Sequence, residues 1–289
     1  MKTTLSPVMA GTMNWGVWDK NLSVAEMANL ILVCLENKIT TFDHADIYGG
    51  YTTEATFGEG FKQSKIDRSK IQLISKCGIQ LVTDNRQNRI KHYDYSKEYI
   101  IWSAENSLKN LKTDYLDVYL LHRPSPLMQA DEIAEAIEKL KKDGKILDFG
   151  LSNFTASQTD LIQQKTKVSY NQIQFSATHF EPMVDGSLGH MQIHNIRPMA
   201  WNPLGTIFRE DTEQTRRLKK LLARLVEKYH FGSDIILLAW IMQHPSKIIP
   251  VAGTVNVARI QQLQKASDLI LDKEDWFEIW TESMGNEVP

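Results

Sequence analysis

The chain has 289 residues, of which 42% are apolar and 24% are charged, and its formal net charge at pH 7 is −2. This is the balance of an ordinary globular protein, without the basic excess typical of nucleic-acid-binding or membrane-surface proteins. The sequence contains no signal-peptide core and no run of about eighteen apolar residues, so we expect a cytoplasmic protein that contacts neither membrane nor nucleic acid. Cys34 and Cys77 are too few for a disulfide framework.

Short runs rich in β-forming residues alternate with amphipathic stretches along the chain. Eight strands are predicted, at 7–11, 39–43, 71–76, 117–122, 146–152, 170–175, 197–201 and 247–253. The clearest helical patterns run from Ser23 to Asn37, Ser96 to Leu111, Ala130 to Lys142 and Thr212 to Tyr229. Strands that alternate with helices form parallel sheets, either open and doubly wound or closed into a barrel.

The glycine pattern separates these two architectures. An open dinucleotide-binding sheet normally carries Gly-x-Gly-x-x-Gly after its first strand, whereas Gly58-Glu-Gly60 lies away from a strand end and lacks the third glycine. Eight strand–helix units over about 250 residues, with no linker between them, are what a (β/α)8 barrel requires. We therefore predict an α/β fold with a single (β/α)8 TIM-barrel domain over residues 1–289 and an active site at its C-terminal mouth.

Each predicted strand ends in a residue that would reach this mouth. These residues are Gly11-Thr12, Asp43, Lys76, His122, Ser152-Asn153, Gln172, Trp201-Asn202 and Gly253-Thr254. Charged groups gathered in a partly desolvated mouth are costly unless they serve chemistry, so their convergence indicates an active site.

The ionisable residues among them, together with Tyr48, suit the reduction of a carbonyl group. Lys76 would stabilise the phenolate of Tyr48 and lower its pKa, and Asp43 would hold Lys76 charged. Tyr48 would then protonate the carbonyl oxygen while His122 hydrogen-bonds it. Such a site lacks a hydride donor, so a nicotinamide cofactor must supply one. The amide and hydroxyl groups of Ser152, Asn153 and Gln172 could bind its carboxamide, and Trp201 could stack on its ring.

The stretch at 42–50, FDHADIYGG, also offers Asp43, His44 and Asp46 as metal ligands. A metal-dependent barrel usually gathers histidines from several strand ends, whereas only His122 ends a strand here. His190 and His194 are four residues apart but fall between strands, without the glutamate of a metalloprotease motif. We therefore predict no metal site and expect His44 and Asp46 to hydrogen-bond the turn.

Seven motifs, in order, resemble those of the aldo-keto reductase family, and in particular a bacterial subgroup of presumed aldo-keto oxidoreductases. They are FDHADIYGG, LISKC, DVYLLHRP, FGLSNF, NQIQFS, AWNPLG and IIPVAGTVNVARIQQ. The resemblance implies a (β/α)8 reductase that uses NADPH, with Asp43, Tyr48, Lys76 and His122 as its catalytic tetrad. The cofactor-binding positions that it implies are Gly11, Thr12, Met13, Asp43, Ser152, Asn153, Gln172, Trp201, Asn202, Leu204, Gly205, Gly253, Thr254, Asn256, Arg259 and Gln262.

The chain departs from the family pattern at the cofactor phosphate. The family's usual lysine falls at Gly253, which leaves Arg259 as the cation for the 2′-phosphate, so NADPH is the expected cofactor and NADH an alternative. The position usually filled by tyrosine holds Trp201, and Asn202 replaces a frequent serine.

Substrate choice is expected to depend on the mouth loops at 80–96, 122–129 and 204–214. The predicted pocket residues are Trp15, Tyr48, Tyr93, His122 and Phe208, with Trp18 as a further apolar wall. We expect a small carbonyl substrate and a monomer or weak oligomer. The alternative function is that of a cofactor-binding regulatory or redox-sensing protein with little turnover.

Overall fold

The computed structural model describes residues 4–289, so the first three residues of the predicted domain lie outside it. Its strands are β1 (Met9–Gly11), β2 (Thr41–Asp43), β3 (Gln72–Cys77), β4 (Ile79–Gln80), β5 (His92–Tyr93), β6 (Leu116–Leu121), β7 (Ile146–Ser152), β8 (Tyr170–Gln174), β9 (Arg197–Trp201) and β10 (Ile249–Ala252). All except β4 and β5 form a closed barrel of parallel strands in the order β1-β10-β9-β8-β7-β6-β3-β2. The predicted (β/α)8 barrel is confirmed, and each of the eight predicted strands corresponds to one barrel strand.

Helices connect the strands around the outside of the barrel. They are α1 (Val24–Glu36), α2 (Tyr48–Tyr51), α3 (Thr53–Ser64), α4 (Lys97–Leu111), α5 (Ala130–Lys142), α6 (Ala156–Gln163), α7 (Ser187–Ile193), α8 (Glu213–Tyr229), α9 (Ser233–Met242), α10 (Val257–Leu263) and α11 (Lys273–Met284). Short 3-10 turns lie at Arg68–Lys70, Glu181–Met183 and Gln264–Ser267. Within residues 4–289, no helix is long and apolar enough to cross a membrane.

Three of the predicted helix starts are N-cap residues in the structure. The Ser23 hydroxyl accepts from the backbone N–H of Glu26, and the Glu26 carboxylate accepts from the Ser23 N–H, which completes a capping box. Thr212 caps α8 in the same way, and Ser96 caps α4 through its hydroxyl alone. These caps satisfy N–H groups that have no partner inside the helix.

The side chains of each barrel strand alternate between two apolar layers, one inside the barrel and one between the strands and the helices. In β6, Val118 and Leu120 lie in the cluster that fills the barrel, while Tyr119 and Leu121 belong to the larger cluster under the helices. This alternation is the ordinary period of two of a β-strand, applied to strands that are buried on both faces. It decides which residue of each strand points inward at the mouth.

The remaining strands form a hairpin that the sequence did not predict. β4 and β5 pair in antiparallel fashion, with Ile79 opposite Tyr93, so the segment 80–96 that was expected to be a loop contains Gln80 of β4 and all of β5. Two-residue strands are too short to give a clear alternation pattern, so nothing in the sequence distinguished them from a loop.

Helix α11 is attached to the barrel wall by an aromatic contact. The rings of Trp240 and Trp276 stack with centroids 5.2 Å apart. Each indole N–H donates to the backbone carbonyl of the other residue, at 3.0 Å in both directions. The two indole N–H groups are therefore satisfied in a largely apolar contact, which is what buried tryptophans require.

Candidate active site

The inward register of the strands continues to the mouth and selects the site residues. Ile74, Leu120, Tyr170 and Met199 lie in the cluster inside the barrel. Two residues further along the same strands come Lys76, His122, Gln172 and Trp201, which therefore point into the mouth. The convergence that the sequence predicted follows from this periodicity.

Lys76 is the centre of the site and is completely buried. Its ammonium donates to both carboxylate oxygens of Asp43 at 2.8 Å and to the His44 carbonyl at 2.7 Å. It also lies 3.3 Å from the Tyr48 hydroxyl. Asp43 is 2% exposed, so both charges are removed from water and each depends on the other.

Tyr48 reaches Lys76 because the backbone turns sharply just after it. Gly49 and Gly50 have φ angles of 62° and 63°, in the left-handed region that favours glycine. A Cβ on Gly49 would lie 2.5 Å from Oγ1 of Thr53, so the position has no room for a side chain. The two glycines therefore allow the tight turn that places Tyr48 beside Lys76.

The electrostatics of the tetrad differ in one respect from the expectation. Burial raises the pKa of Tyr48 above its ordinary value, and the nearby Lys76 ammonium offsets only part of this rise. The expectation of a lowered Tyr48 pKa is therefore wrong for this structure, because desolvation outweighs the cation. Burial alone would lower the pKa of Lys76, but Asp43 and Tyr48 outweigh it, so the pKa of Lys76 is raised and its ammonium stays charged.

His122 supplies a neutral imidazole. Burial, with Lys76 and Arg123 nearby, places the pKa of His122 well below its ordinary value. Its ring lies edge-on to the Tyr48 ring, with centroids 6.1 Å apart. Among residues 4–289, the buried Nδ1 of His122 has no hydrogen-bond partner.

A chain of hydrogen bonds joins the tetrad to Trp201 across the mouth. Trp201 Nε1 donates to Asn153 Oδ1 at 2.8 Å, and Asn153 Nδ2 donates to Ser152 Oγ at 2.8 Å. Ser152 Oγ then donates to the Gln172 carbonyl at 3.1 Å, and Gln172 Nε2 donates to Asp43 Oδ1 at 2.9 Å. The sequence proposed three of these side chains for a cofactor amide, but it did not predict that they bond one another and Asp43.

Two asparagines at the mouth adopt the left-handed conformation. Asn153 has φ 63° and Asn202 has φ 53°, each directly after a barrel strand. Asparagine tolerates this region better than most residues, which accounts for Asn202 at the position where the family often has serine. The Asn202 side chain also accepts from Arg209 at 2.8 Å, a contact that the sequence did not suggest.

The remaining predicted cofactor residues differ in exposure and in the elements on which they lie. Thr12 is fully buried, and its hydroxyl bonds the Asp43 carbonyl and His44 Nδ1, so it supports the site from within. Asn256 caps α10 by accepting from the backbone N–H of Arg259, and the Arg259 side chain is exposed. The other positions lie at the end of β1, in the loops that follow β1, β9 and β10, or on α10, namely Gly11, Met13, Leu204, Gly205, Gly253, Thr254 and Gln262.

The prediction that Trp15 lines the substrate pocket is wrong. Trp15 is fully buried in the core and packs against Phe42 and Phe57, with ring centroids 6.1 and 6.0 Å away, so it does not line the mouth. Trp18, 47% exposed and 6.1 Å from the Tyr48 ring, provides the wall on this side. Tyr93 and Phe208 are exposed in the mouth loops.

Comparison with known proteins identifies the family to which the chain belongs. The model of the Aldo/keto reductase family matches residues 7–281. The chain belongs to the aldo/keto reductase family. This confirms the resemblance drawn from the motifs and makes the chain an oxidoreductase of that family.

Two sequence relatives and one solved structure are similar to this chain. The uncharacterized oxidoreductase YcsN of Bacillus subtilis is 42% identical over 281 residues, 95% of this chain and 94% of that protein. The 6-dehydroglucose reductase of Agrobacterium fabrum is 36% identical over 283 residues, again 95% and 94%. A Klebsiella pneumoniae aldo/keto reductase, solved in complex with NADP and acetate, shares the fold with a TM-score of 0.79 at 22% identity, over 95% and 90% of the two chains.

His44 and Asp46 of this aldo/keto reductase contact other elements of the fold instead of the local turn. His44 Nδ1 lies 2.8 Å from the Thr12 hydroxyl, and burial lowers the pKa of His44 to about 3. The Asp46 carboxyl accepts from Tyr99 at 3.2 Å and Ser103 at 3.1 Å, both on α4. Burial, reinforced by Glu54, raises the pKa of Asp46 to about 7.

The two cysteines of the reductase lie in the core and take no part in the site. Cys34 and Cys77 are both fully buried. Burial raises the pKa of Cys34 to about 12 and raises the pKa of Cys77 further, so both remain thiols.

The Asp46 environment predicts a pH-dependent stability. The folded protein keeps Asp46 protonated up to about pH 7, whereas the unfolded chain loses this proton near pH 4, so the Asp46 contribution to stability falls as pH rises between these values. Asp46→Asn removes this dependence. The free energy of unfolding of the variant relative to wild type should therefore rise by on the order of 2–4 kcal/mol from pH 4 to pH 8, measured by urea denaturation.

The matched control is Asp84→Asn, at an exposed position of the loop between β4 and β5. The difference in free energy of unfolding between Asp84→Asn and wild type provides the baseline for the loss of an exposed carboxylate. Parallel stability curves for wild type and Asp46→Asn would show that Asp46 ionises normally in the folded protein.

Proposed function

We propose that this chain reduces an aldehyde or ketone to an alcohol with NADPH as hydride donor. The observation that carries the proposal is the fully buried Lys76, bonded to Asp43 and placed 3.3 Å from the Tyr48 hydroxyl. A buried ammonium beside a phenol is expensive to maintain and is suited to stabilise charge that develops on that phenol.

The tetrad residues divide the proton chemistry among them. Tyr48 holds its proton firmly at neutral pH because its pKa is raised, and it releases the proton only as the carbonyl oxygen gains negative charge. Lys76 stabilises the phenolate that remains, and Asp43 keeps Lys76 charged and aimed. His122, neutral and buried, orients the carbonyl oxygen toward Tyr48.

The mouth residues fit a nicotinamide dinucleotide. Trp201 is partly exposed, and its ring orientation is fixed by the bond from Nε1 to Asn153, which leaves a flat surface for stacking. Arg259 is exposed, and no carboxylate lies within ion-pair distance of it among the described residues, so its guanidinium is free for the 2′-phosphate. The cofactor supplies the hydride. The K. pneumoniae reductase of the same fold was solved with NADP, which supports this choice over NADH.

The substrate is a small carbonyl compound that enters past Trp18, Tyr93 and Phe208. The A. fabrum relative is named a 6-dehydroglucose reductase, so a hydroxylated aldehyde of the sugar type should be included in a substrate panel. We propose that residues 1–289 act as one barrel domain, as a monomer or weak oligomer. The cytoplasmic location stays a prediction from the sequence.

Tyr48→Phe tests the assignment of the proton donor. Removal of the hydroxyl leaves the stacking and phosphate contacts in place, so kcat for aldehyde reduction should fall by about 10²-fold or more while the Kd for NADPH changes little. Steady-state kinetics and fluorescence titration of NADPH measure the two quantities.

Tyr51→Phe is the matched control, because Tyr51 lies three residues away and, within residues 4–289, its hydroxyl bonds only the backbone of Ile79 and Leu81. It should keep most of the activity. Wild-type rates in Tyr48→Phe would refute the assigned role of Tyr48. Tight NADPH binding without turnover on any aldehyde or ketone would favour a regulatory protein over an enzyme.

The cofactor preference depends on Arg259 and predicts an asymmetric effect of its removal. Arg259→Ala should weaken NADPH binding by about 10-fold or more and leave NADH binding nearly unchanged, since only NADPH carries the 2′-phosphate. Arg216→Ala, which removes an exposed arginine of α8, serves as the control. Equal losses of binding affinity for NADPH and NADH would show that Arg259 does not contact the 2′-phosphate.

Gly253→Lys makes the converse change. A Cβ at Gly253 meets only the Asn14 amide nitrogen, at 3.6 Å, so a lysine fits there without strain. It restores the cation that the family usually has and should tighten NADPH binding relative to NADH. An unchanged ratio of the two Kd values would place residue 253 out of reach of the phosphate.

A further inference from the structure

Two histidines and an aspartate form a cluster on the outer wall of the barrel, between α6 and α7. His190 Nε2 lies 2.7 Å from Oδ1 of Asp160, and His194 Nε2 lies 3.5 Å from the same oxygen. One ligand atom from each of the three residues lies within 4.8 Å of the others. We propose that Asp160, His190 and His194 bind a divalent transition-metal cation such as Zn²⁺.

The residue types and their spacing suit such a cation. Imidazole and carboxylate ligands are common for zinc, and four-residue spacing places both histidines on the same side of α7 and its last turn. Zinc–ligand distances of about 2.0–2.2 Å correspond to ligand separations of about 3.3 Å in a tetrahedral site. The two histidine–Asp160 separations of 2.7 and 3.5 Å lie on either side of this value, and the two histidine ligand atoms lie within 4.8 Å of each other, so side-chain shifts of on the order of 1 Å would complete the set.

Gln163 adds a second observation that supports a ligand role for His194. Its side-chain nitrogen lies 3.2 Å from His194 Nδ1, and its Oε1 is buried without a partner among the described residues. Rotation of the amide by half a turn lets Oε1 accept from Nδ1–H. That bond is the usual support of a metal-binding histidine and leaves Nε2 free for the cation.

The cluster also has room for a fourth, non-protein ligand. A surface cleft of about 300 Å³ borders it, lined by Asp160, Gln163, Gln164 and His194. The His190 side chain is 14% exposed and that of His194 is 35% exposed, so the cation can enter from solvent and retain a water.

The position of the cluster indicates a structural role for the cation. Helix α6 begins just after the mouth end of β7 and runs toward the opposite rim, so Asp160 and Gln163 lie away from the mouth. His194 lies three residues before β9 begins at Arg197, also at the opposite rim. A bound cation would therefore join α6 to α7 and stabilise the barrel without contact with the reacting groups.

Isothermal titration of the EDTA-treated protein, prepared without a polyhistidine tag, with ZnCl2 tests the proposal. We expect saturable binding of one ion per chain and a melting temperature that rises by several degrees with excess Zn²⁺. Replacement by Co²⁺ should give the visible absorption bands of a tetrahedral site. Reductase activity should be the same with and without the ion.

His194→Ala is the decisive variant because it leaves the Asp160–His190 contact in place and so preserves the link between the helices. It should weaken Zn²⁺ binding by about 10-fold or more. The control is His179→Gln, since His179 pairs with Glu181 at 3.2 Å but belongs to no group of three possible metal ligands among the described residues. Absence of saturable binding, or equal Zn²⁺ affinity in wild type and His194→Ala, would overturn the proposal and leave a simple ion pair.

Discussion

The buried ion pair of Lys76 and Asp43 is the constraint on which the site depends. Removing two charges from water costs several kcal/mol for each ion, and the cost is offset only when geometry and additional hydrogen bonds are good. Here the three ammonium hydrogens of Lys76 face Asp43, the His44 carbonyl and Tyr48, while Gln172 donates to Asp43 from across the barrel. Both charges are thus satisfied by groups on three barrel strands and the turn that follows β2. Movement of any of these elements would leave a buried charge without a partner in an apolar interior.

The barrel provides the rigidity that this pair requires. Asp43 pairs in register with Ile74 of the neighbouring strand, two residues before Lys76, so the two side chains point inward at adjacent levels. The apolar layer formed by Ile74, Leu120 and Met199 lies directly below and excludes water from that side. Packed side chains of this kind allow little displacement. The geometry of the candidate site is therefore a property of the strand register as much as of Asp43, Tyr48, Lys76 and His122 themselves.

The fold and the convergence of Asp43, Lys76 and His122 at the mouth were predictable from the sequence because both follow from local patterns. Strand alternation and the polar residue at each strand end are visible in single segments, such as Lys76 and His122. The burial of Trp15, the raised pKa of Tyr48 and the bond from Gln172 to Asp43 were not predictable. Each of them depends on how segments far apart in the sequence pack together, and a strand pattern carries no information about such packing.

The pairing that closes the barrel has a consequence for how the protein comes to be folded. Met9 of β1 pairs with Val251 of β10, so the first and last strands of the barrel are neighbours. A ribosome releases β1 long before β10 exists, and until then β1 and β9 each present an unpaired backbone edge, which is a known hazard for aggregation. Closure must also bring together residues that are far apart in sequence, and this slows folding. The nascent chain therefore depends on protection of these edges during synthesis more than a protein with local contacts does.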